Sequence, residues 1–107
     1  MAHFYTVVET PVCQRYSESI WSEKERLEFI SWLAHNPLAG DVIPGSGGIR
    51  KVRWNAGGKG KRGGVRAIYH NVLAEGLIYL LIVYTKSWYD NISTKTLVRM
   101  KEEIENG

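Results

Sequence analysis

The spacing of apolar residues at the start of the chain predicts a strand followed by a short helix. Aromatic and β-branched residues from Phe4 to Glu9 favour a strand. Thr10 can cap a helix, and Pro11 suits the first helical turn because its fixed backbone angle is already helical. We therefore predict a helix that begins there and ends at about Ser19.

The next segment carries the clearest helical pattern. Apolar side chains recur at helical intervals between Leu27 and Ala34, and Ser22 with Glu25 has the spacing of a capping box. Asn36-Pro37 then stops the helix, since proline cannot continue it.

The middle of the chain predicts three consecutive strands. The glycine-rich stretch Leu38 to Gly48 reads as a loop that leads into a strand from Ile49 to Trp54. Half of the residues from Asn55 to Gly64 are glycine, which indicates the connection of a hairpin whose second strand is Val65 to Val72. A turn at Glu75-Gly76 then opens a third strand.

This third strand, Leu77 to Thr85, is apolar on both faces, so it is expected in the middle of a sheet that is covered on two sides. The segment Asp90 to Ser93 suits a turn with a helix cap, and Leu97, Met100 and Ile104 mark a final helix. The predicted order is β-α-α-β-β-β-α, an α+β fold in which helices pack against a small, mainly antiparallel sheet.

Length and composition limit the class of protein. A chain of 107 residues, 44% of them hydrophobic, is sufficient for one domain with its own core, predicted over residues 1–107. Cys13 is the only cysteine and lies on an apolar helix face, so we expect it to be part of the core. The sequence shows neither a targeting segment nor an apolar run near the roughly 20 residues needed to span a bilayer, which predicts a cytoplasmic protein without membrane contact.

The charge distribution is uneven. Seven cationic side chains and no acid lie between Val42 and Ala74, so a net charge of +3 divides into +7 in this segment and −4 elsewhere. A solvated surface would explain a charge run, but solubility is served by interspersed signs, whereas a large single-sign patch is typical of a site that binds a polyanion. The positive sign favours phosphate. The seven are Arg50, Lys51, Arg53, Lys59, Lys61, Arg62 and Arg66.

Aromatic side chains accompany these cations and could stack on unpaired bases. Small sheets commonly bury such rings, so we expect half or more of them to belong to the core. Trp88 and Tyr89, at the end of a strand and just past Lys86, are the better candidates for ligand contact.

The basic segment contains no carboxylate, which excludes a carboxylate pair or a metal site built from it, and His70 is its only imidazole. A lone histidine in a strand is more often a packed side chain than a catalyst. Crowded cations offer another route, since a lysine among positive groups has a lowered pKa and can accept a proton, while arginine stabilises a charged transition state. RNA supplies its own nucleophile, the 2′-hydroxyl.

Four motifs occur in a fixed order: Gly47 to Arg53, Gly58 to Tyr69, Leu80 to Lys86 and Asp90 to Ser93. Together they resemble the RelE/HigB-type toxins of bacterial type II toxin-antitoxin modules, and most closely the HigB branch. The likeness covers nearly the whole chain.

The resemblance implies a microbial-ribonuclease-like fold and a ribosome-dependent endonuclease that cuts mRNA in the ribosomal A site, without metal or cofactor. The partners that it implies are the ribosome and a cognate antitoxin that masks the basic face. The antitoxin is expected to be a helix-turn-helix DNA-binding protein encoded next to the toxin, through which alone operator DNA is contacted.

The family pattern also assigns roles. On that pattern Lys51 and Arg53 fall where strand cations act on the reacting phosphate, Arg66 where an arginine stabilises the transition state, and Lys86 where a strand-end lysine contacts RNA. We therefore expect Lys51 or Lys86 to accept the proton of the 2′-hydroxyl, Arg66 to act on the phosphate, and Arg53 to assist the leaving group. Contacts to RNA or the ribosome are expected from Arg50, Lys59, Lys61, Arg62, Tyr84, Trp88 and Tyr89.

The sequence departs from that pattern in two places. Ser87 stands where some members carry an arginine, and Ser93 falls where they carry a tyrosine, leaving Tyr84 or Tyr89 as substitutes. Two alternatives stay open: a ParE-like toxin of the same fold that acts on DNA gyrase, and an RNA-binding module without catalysis.

Overall fold

The computed structural model describes residues 4–54, 64–85 and 92–106 and confirms the predicted α+β class. In chain order the elements are β1 Thr6–Glu9, α1 Pro11–Ile20, α2 Glu23–His35, β2 Asp41–Val42, β3 Arg50–Trp54, β4 Val65–Val72, a 3-10 turn at Leu73–Glu75, β5 Leu77–Thr85 and α3 Thr94–Asn106.

Polar side chains start each helix as the sequence predicts. The Thr10 hydroxyl accepts a hydrogen bond from the backbone of α1, and Ser22 and Glu25 form both halves of the capping box of α2. The Ser93 hydroxyl caps α3 in the same way. These helices span 10 to 13 residues, and none of the helices in the described ranges has both the length and the apolar character needed to cross a membrane.

The strands form one sheet in the order β1-β5-β4-β3-β2. β1 runs parallel to β5, and the other pairs are antiparallel. The helices α1 and α2 carry the chain from the β1 edge to the opposite edge, and β3, β4 and β5 return it by antiparallel pairing. β5 lies between β1 and β4 and is buried along most of its length, which confirms its predicted inner position.

The stretch predicted as a loop, Leu38 to Gly48, contains one short strand. Asp41 and Val42 pair with the first two residues of β3. The intervening turn is closed by the Ile43 N–H, which donates to the Ile49 carbonyl at 2.8 Å, and by the Ser46 hydroxyl. The prediction of an uninterrupted loop was wrong here, because two exposed residues leave no apolar pattern and their pairing depends on the turn.

Each face of the sheet carries a core. On the side of α1 and α2 the buried residues include Cys13, Phe29, Leu33, Ala67, Tyr69 and Leu80. On the side of α3 they include Ile49, Ile68, Leu81, Tyr84 and Leu97. We call these the α1/α2 side and the α3 side. A register shift between Ile68 and Tyr69 leaves Leu81 as an extra residue in β5, so that the adjacent residues Leu81 and Ile82 both belong to the α3-side core.

Cys13 belongs to the α1/α2 core, as expected from its helix face. It is fully buried, and burial raises the pKa of its thiol to about 12, with nearby Glu9 acting in the same direction. Because the thiolate is the nucleophilic form, this cysteine is chemically inert at neutral pH.

Candidate nucleic-acid interface

Lys51 and Arg53 point to the α3 side of the sheet. Side chains alternate along a strand, and their neighbours Val52 and Trp54 pack into the α1/α2 core. Both cations are exposed to solvent. The alternation of β3 therefore presents two positive charges on one accessible face.

Arg66 extends this pair onto the next strand. In the β3–β4 register Arg66 stands directly opposite Arg53, and in the β4–β5 register it stands opposite Tyr84. Arg66 is half-buried. Like charges directly opposite one another on a sheet destabilise it, by a few tenths to about 1 kcal/mol. An anion bound between them would reverse the sign of that contribution. We call Lys51, Arg53 and Arg66 the cationic row.

The core of the α3 side adjoins the cationic row. Ile68 lies opposite Lys51 in β4 and is buried in the cluster that contains Leu97 of α3. Met100 and Ile104 pack against the same cluster. The exposed row thus adjoins a part of the sheet that is packed against α3, which holds the strand backbones that carry its charges.

His70 lies on this side too, but it contacts α3. Its Nε2 is 3.4 Å from Glu105 Oε2, and only 8% of the residue is exposed. Burial lowers the pKa of His70, and Lys101 adds to this effect, so the ring is neutral at physiological pH. His70 follows Arg66 by four residues along β4, which separates the two residues by about 13 Å at the usual strand rise. The structure thus places His70 under the last turn of α3 and away from the cationic row.

Arg50 lies on the opposite side of β3 from the row. Its Nη1 donates to the backbone carbonyls of Gly40 at 2.6 Å and Leu38 at 3.3 Å. The guanidinium therefore holds the segment before β2. The contact of Arg50 with RNA or the ribosome stays a prediction. Such a contact would be made from the opposite face of the sheet to that of Lys51.

The aromatic residues of the described strands belong to the cores. Tyr69 and Tyr84 have no exposed surface, and Trp54 packs against Phe29 and Trp32. Stacking of Tyr84 on a base would require its ring to leave the α3 core. Its predicted role in RNA contact stays a prediction.

The hydroxyl of Tyr69 has a structural task that the sequence did not indicate. It accepts the Gly40 N–H and donates to the Pro37 carbonyl, both at 2.9 Å. Gly40 must be glycine, because a Cβ there would lie 2.8 Å from the Lys51 carbonyl oxygen. These contacts fix the chain beside the start of β3, and so they help to position Lys51.

Several predicted site residues lie outside the described residues. They are Lys59, Lys61, Arg62, Lys86, Trp88 and Tyr89, together with Ser87. Their roles stay predictions.

The cationic row of this face can bind anions. Guanidinium groups bind phosphate oxygens through paired hydrogen bonds, and lysine adds a compact positive charge. Within residues 4–54, 64–85 and 92–106, no three His, Cys, Asp or Glu side chains group so as to hold a metal ion.

Comparison with known proteins bears on the fold. No protein-family model matches the chain. The chain is similar to the solved structure of the E. coli toxin RelE in the free state, in a variant with two arginines changed to alanine. The TM-score is 0.59 at 10% identity, over 92% of this chain and 97% of that one. The predicted RelE-like fold is confirmed, and at this identity the likeness concerns the fold alone. Assignment to the HigB branch stays a prediction.

Proposed function

We propose that the protein is the toxin of a type II toxin-antitoxin module, of the HigB branch, and that it cuts mRNA in the ribosomal A site. The observation that carries this proposal is the placement of Arg53 directly opposite Arg66 on the accessible side of a RelE-like sheet. A fold keeps two such charges together at a cost in stability, which selection tolerates where they bind an anion.

The proposed chemistry uses the groups of the cationic row together with Lys86. The 2′-oxygen of one nucleotide attacks the adjacent phosphorus, its proton passes to Lys51 or Lys86, and the bond from phosphorus to the 5′-oxygen breaks. Arg66 neutralises charge on the phosphorane-like transition state, and Arg53 stabilises the negative charge on the departing 5′-oxygen, which takes up a proton from water. The products are a 2′,3′-cyclic phosphate and a free 5′-hydroxyl.

The partners follow from this proposal. The substrate is mRNA held by a translating ribosome, and the lysines of the segment between β3 and β4 would grip ribosomal RNA through phosphate. A cognate antitoxin with a helix-turn-helix domain, encoded by a neighbouring gene, would mask the cationic row and alone contact operator DNA.

Purified protein added to translating ribosomes tests the proposal, with mRNA ends mapped at nucleotide resolution. Cuts confined to A-site codons are expected. Intact mRNA together with gyrase trapped on DNA would replace the proposal with a ParE-like activity.

Substitutions distinguish a nuclease from a module that binds RNA without cutting it. Arg66→Ala and Lys86→Ala should abolish both cleavage and growth arrest, while Arg99→Ala, which removes an exposed arginine of α3, should preserve both. Growth arrest that survives in the first two variants while RNA association weakens would leave a binding module without catalysis.

A further inference from the structure

Arg66 has a charged neighbour on one adjacent strand and an aromatic neighbour on the other. It stands opposite Arg53 in the β3–β4 register and opposite Tyr84 in the β4–β5 register. Arg53 is exposed, whereas Tyr84 has no exposed surface. Directly opposite residues of antiparallel strands share one face of the sheet, with Cβ atoms about 4.5–5.5 Å apart. The side chain of Arg66 is therefore within reach of both neighbours.

The two neighbours act on the guanidinium in opposite ways. The like charge of Arg53 repels it and disfavours a conformation that leans toward β3. The ring of Tyr84 attracts it, because a planar guanidinium stacks on an aromatic face and its charge interacts with the ring quadrupole. This attraction grows where water is partly excluded, and Arg66 is half-buried. The balance favours a guanidinium that leans toward β5.

The ring of Tyr84 is itself held by the core of the α3 side. It belongs to the buried cluster that contains Ile68 of β4 and Leu97 of α3, and Ile92 packs against the same cluster. Side chains in such close-packed cores occupy one rotamer. Tyr84 thus offers Arg66 a fixed surface, built from β5 and α3, at the inner end of the cationic row.

We propose that Tyr84 is a positioning residue: its ring holds the Arg66 guanidinium in the orientation in which it meets the reacting phosphate. This role rests on the proposed function, in which Arg66 neutralises charge in the transition state. It differs from the predicted contact of Tyr84 with RNA, because the ring stays in the core and acts through Arg66. A charged group that is already oriented stabilises the transition state without reorganisation. Loss of the ring should therefore slow cleavage more than it weakens binding to the ribosome.

Single-turnover cleavage of A-site mRNA, with the protein in excess over programmed ribosomes, tests this role. Tyr84→Leu removes the ring and should lower the maximal rate about tenfold, as expected for the loss of a partly desolvated cation–π contact, without changing the protein concentration that gives half of that rate. Tyr84→Phe keeps the ring and should stay within about threefold of the parent. Only proteins that unfold cooperatively above the assay temperature are compared, and Tyr84→Ile replaces Tyr84→Leu if the latter fails to fold.

Tyr79→Leu is the matched control. Tyr79 lies on the same strand and packs against the same cluster, but it stands opposite His70 instead of an arginine. This variant loses a ring and part of the α3-side packing, as Tyr84→Leu does, and should cleave at the parent's rate. A general weakening of the core would slow both variants equally.

NMR of the full chain labelled with ¹⁵N-arginine gives a readout that does not depend on activity. The Nε–Hε resonance of Arg66 is identified by its loss in Arg66→Lys, and a ring beside the guanidinium displaces it from the position of an unstructured arginine. Tyr84→Leu should move the resonance toward that position and speed its exchange with water, whereas Tyr84→Phe and Tyr79→Leu should leave it near that of the parent.

Three results would overturn the role of Tyr84. They are an Arg66 resonance that does not move in Tyr84→Leu, a Tyr84→Phe protein that cleaves as slowly as Tyr84→Leu, and an equal loss of cleavage in Tyr79→Leu. A parent protein that cuts no mRNA would instead refute the proposed function, and the NMR comparison would then decide by itself whether Tyr84 holds Arg66.

Discussion

Replacing Arg53 with glutamine should make the protein more stable and less active. Arg53 and Arg66 are directly opposite on adjacent strands, where Cβ atoms are usually about 4.5–5.5 Å apart. Removing one charge relieves a repulsion of a few tenths to about 1 kcal/mol, and glutamine keeps part of the aliphatic stem. For a domain of this size, a gain of about 1 kcal/mol would raise Tm by roughly 4–8 °C.

The same substitution should reduce mRNA cleavage on ribosomes by about 100-fold or more, the usual cost of losing one group that stabilises transition-state charge. Stability is measured by urea unfolding at 20 and 500 mM NaCl, and the gain should shrink at high salt because the Debye length falls below the separation of the charges. Arg99→Gln changes the net charge equally from an exposed position on α3 and should alter neither property. If the Arg53→Gln protein is less stable than the parent, the two arginines do not repel each other as described; if it cleaves at the parent's rate, Arg53 has no part in catalysis.

Three further substitutions test the scaffold. Tyr69→Phe removes a buried hydroxyl that serves Gly40 and Pro37, so urea unfolding should show a loss of about 1–3 kcal/mol. Ser22→Ala removes the cap of α2 and should cost about 1 kcal/mol in the same assay, whereas Ser31→Ala in the same helix should cost less. The free energy of unfolding should fall as the pH is lowered from 7.5 to 5.5. Burial lowers the pKa of His70 in the folded protein, so the unfolded chain binds more protons than the folded one in this range. His70→Gln should flatten that dependence, and an equal slope in both proteins would contradict the assigned cause.

The parts of the fold that the sequence predicts best are those with long apolar patterns. The bounds predicted for β4 and β5, Val65 to Val72 and Leu77 to Thr85, agree with the structure, since one strand follows a glycine-rich connection and the other is apolar on both faces. α2 was equally clear, because capping residues and apolar periodicity agree. Local signals suffice where the chain itself marks the start and the end of an element.

The β3–β4 hairpin was predicted from the sequence, but the register of its strands and the pairing of β1 and β2 were not. The position of Arg53 opposite Arg66 depends on the register in which β3 pairs with β4. The β2 strand depends on the turn at Ser46. The face of the sheet on which Arg50 lies could have been predicted, because adjacent residues in a strand face opposite ways and Lys51 directly follows Arg50. The contact of His70 with α3 could not be foreseen, because it joins elements that are distant in the sequence.

The central claim, that the cationic row activates the 2′-hydroxyl of an A-site codon, is tested most directly by changing that hydroxyl. Ribosomes are programmed with mRNA that carries one 2′-deoxynucleotide immediately before the mapped cut, and cleavage is compared with the all-ribose mRNA. The deoxy substitution should abolish cleavage at that bond and leave ribosome binding intact. Cleavage of the deoxy mRNA at the same bond would contradict it.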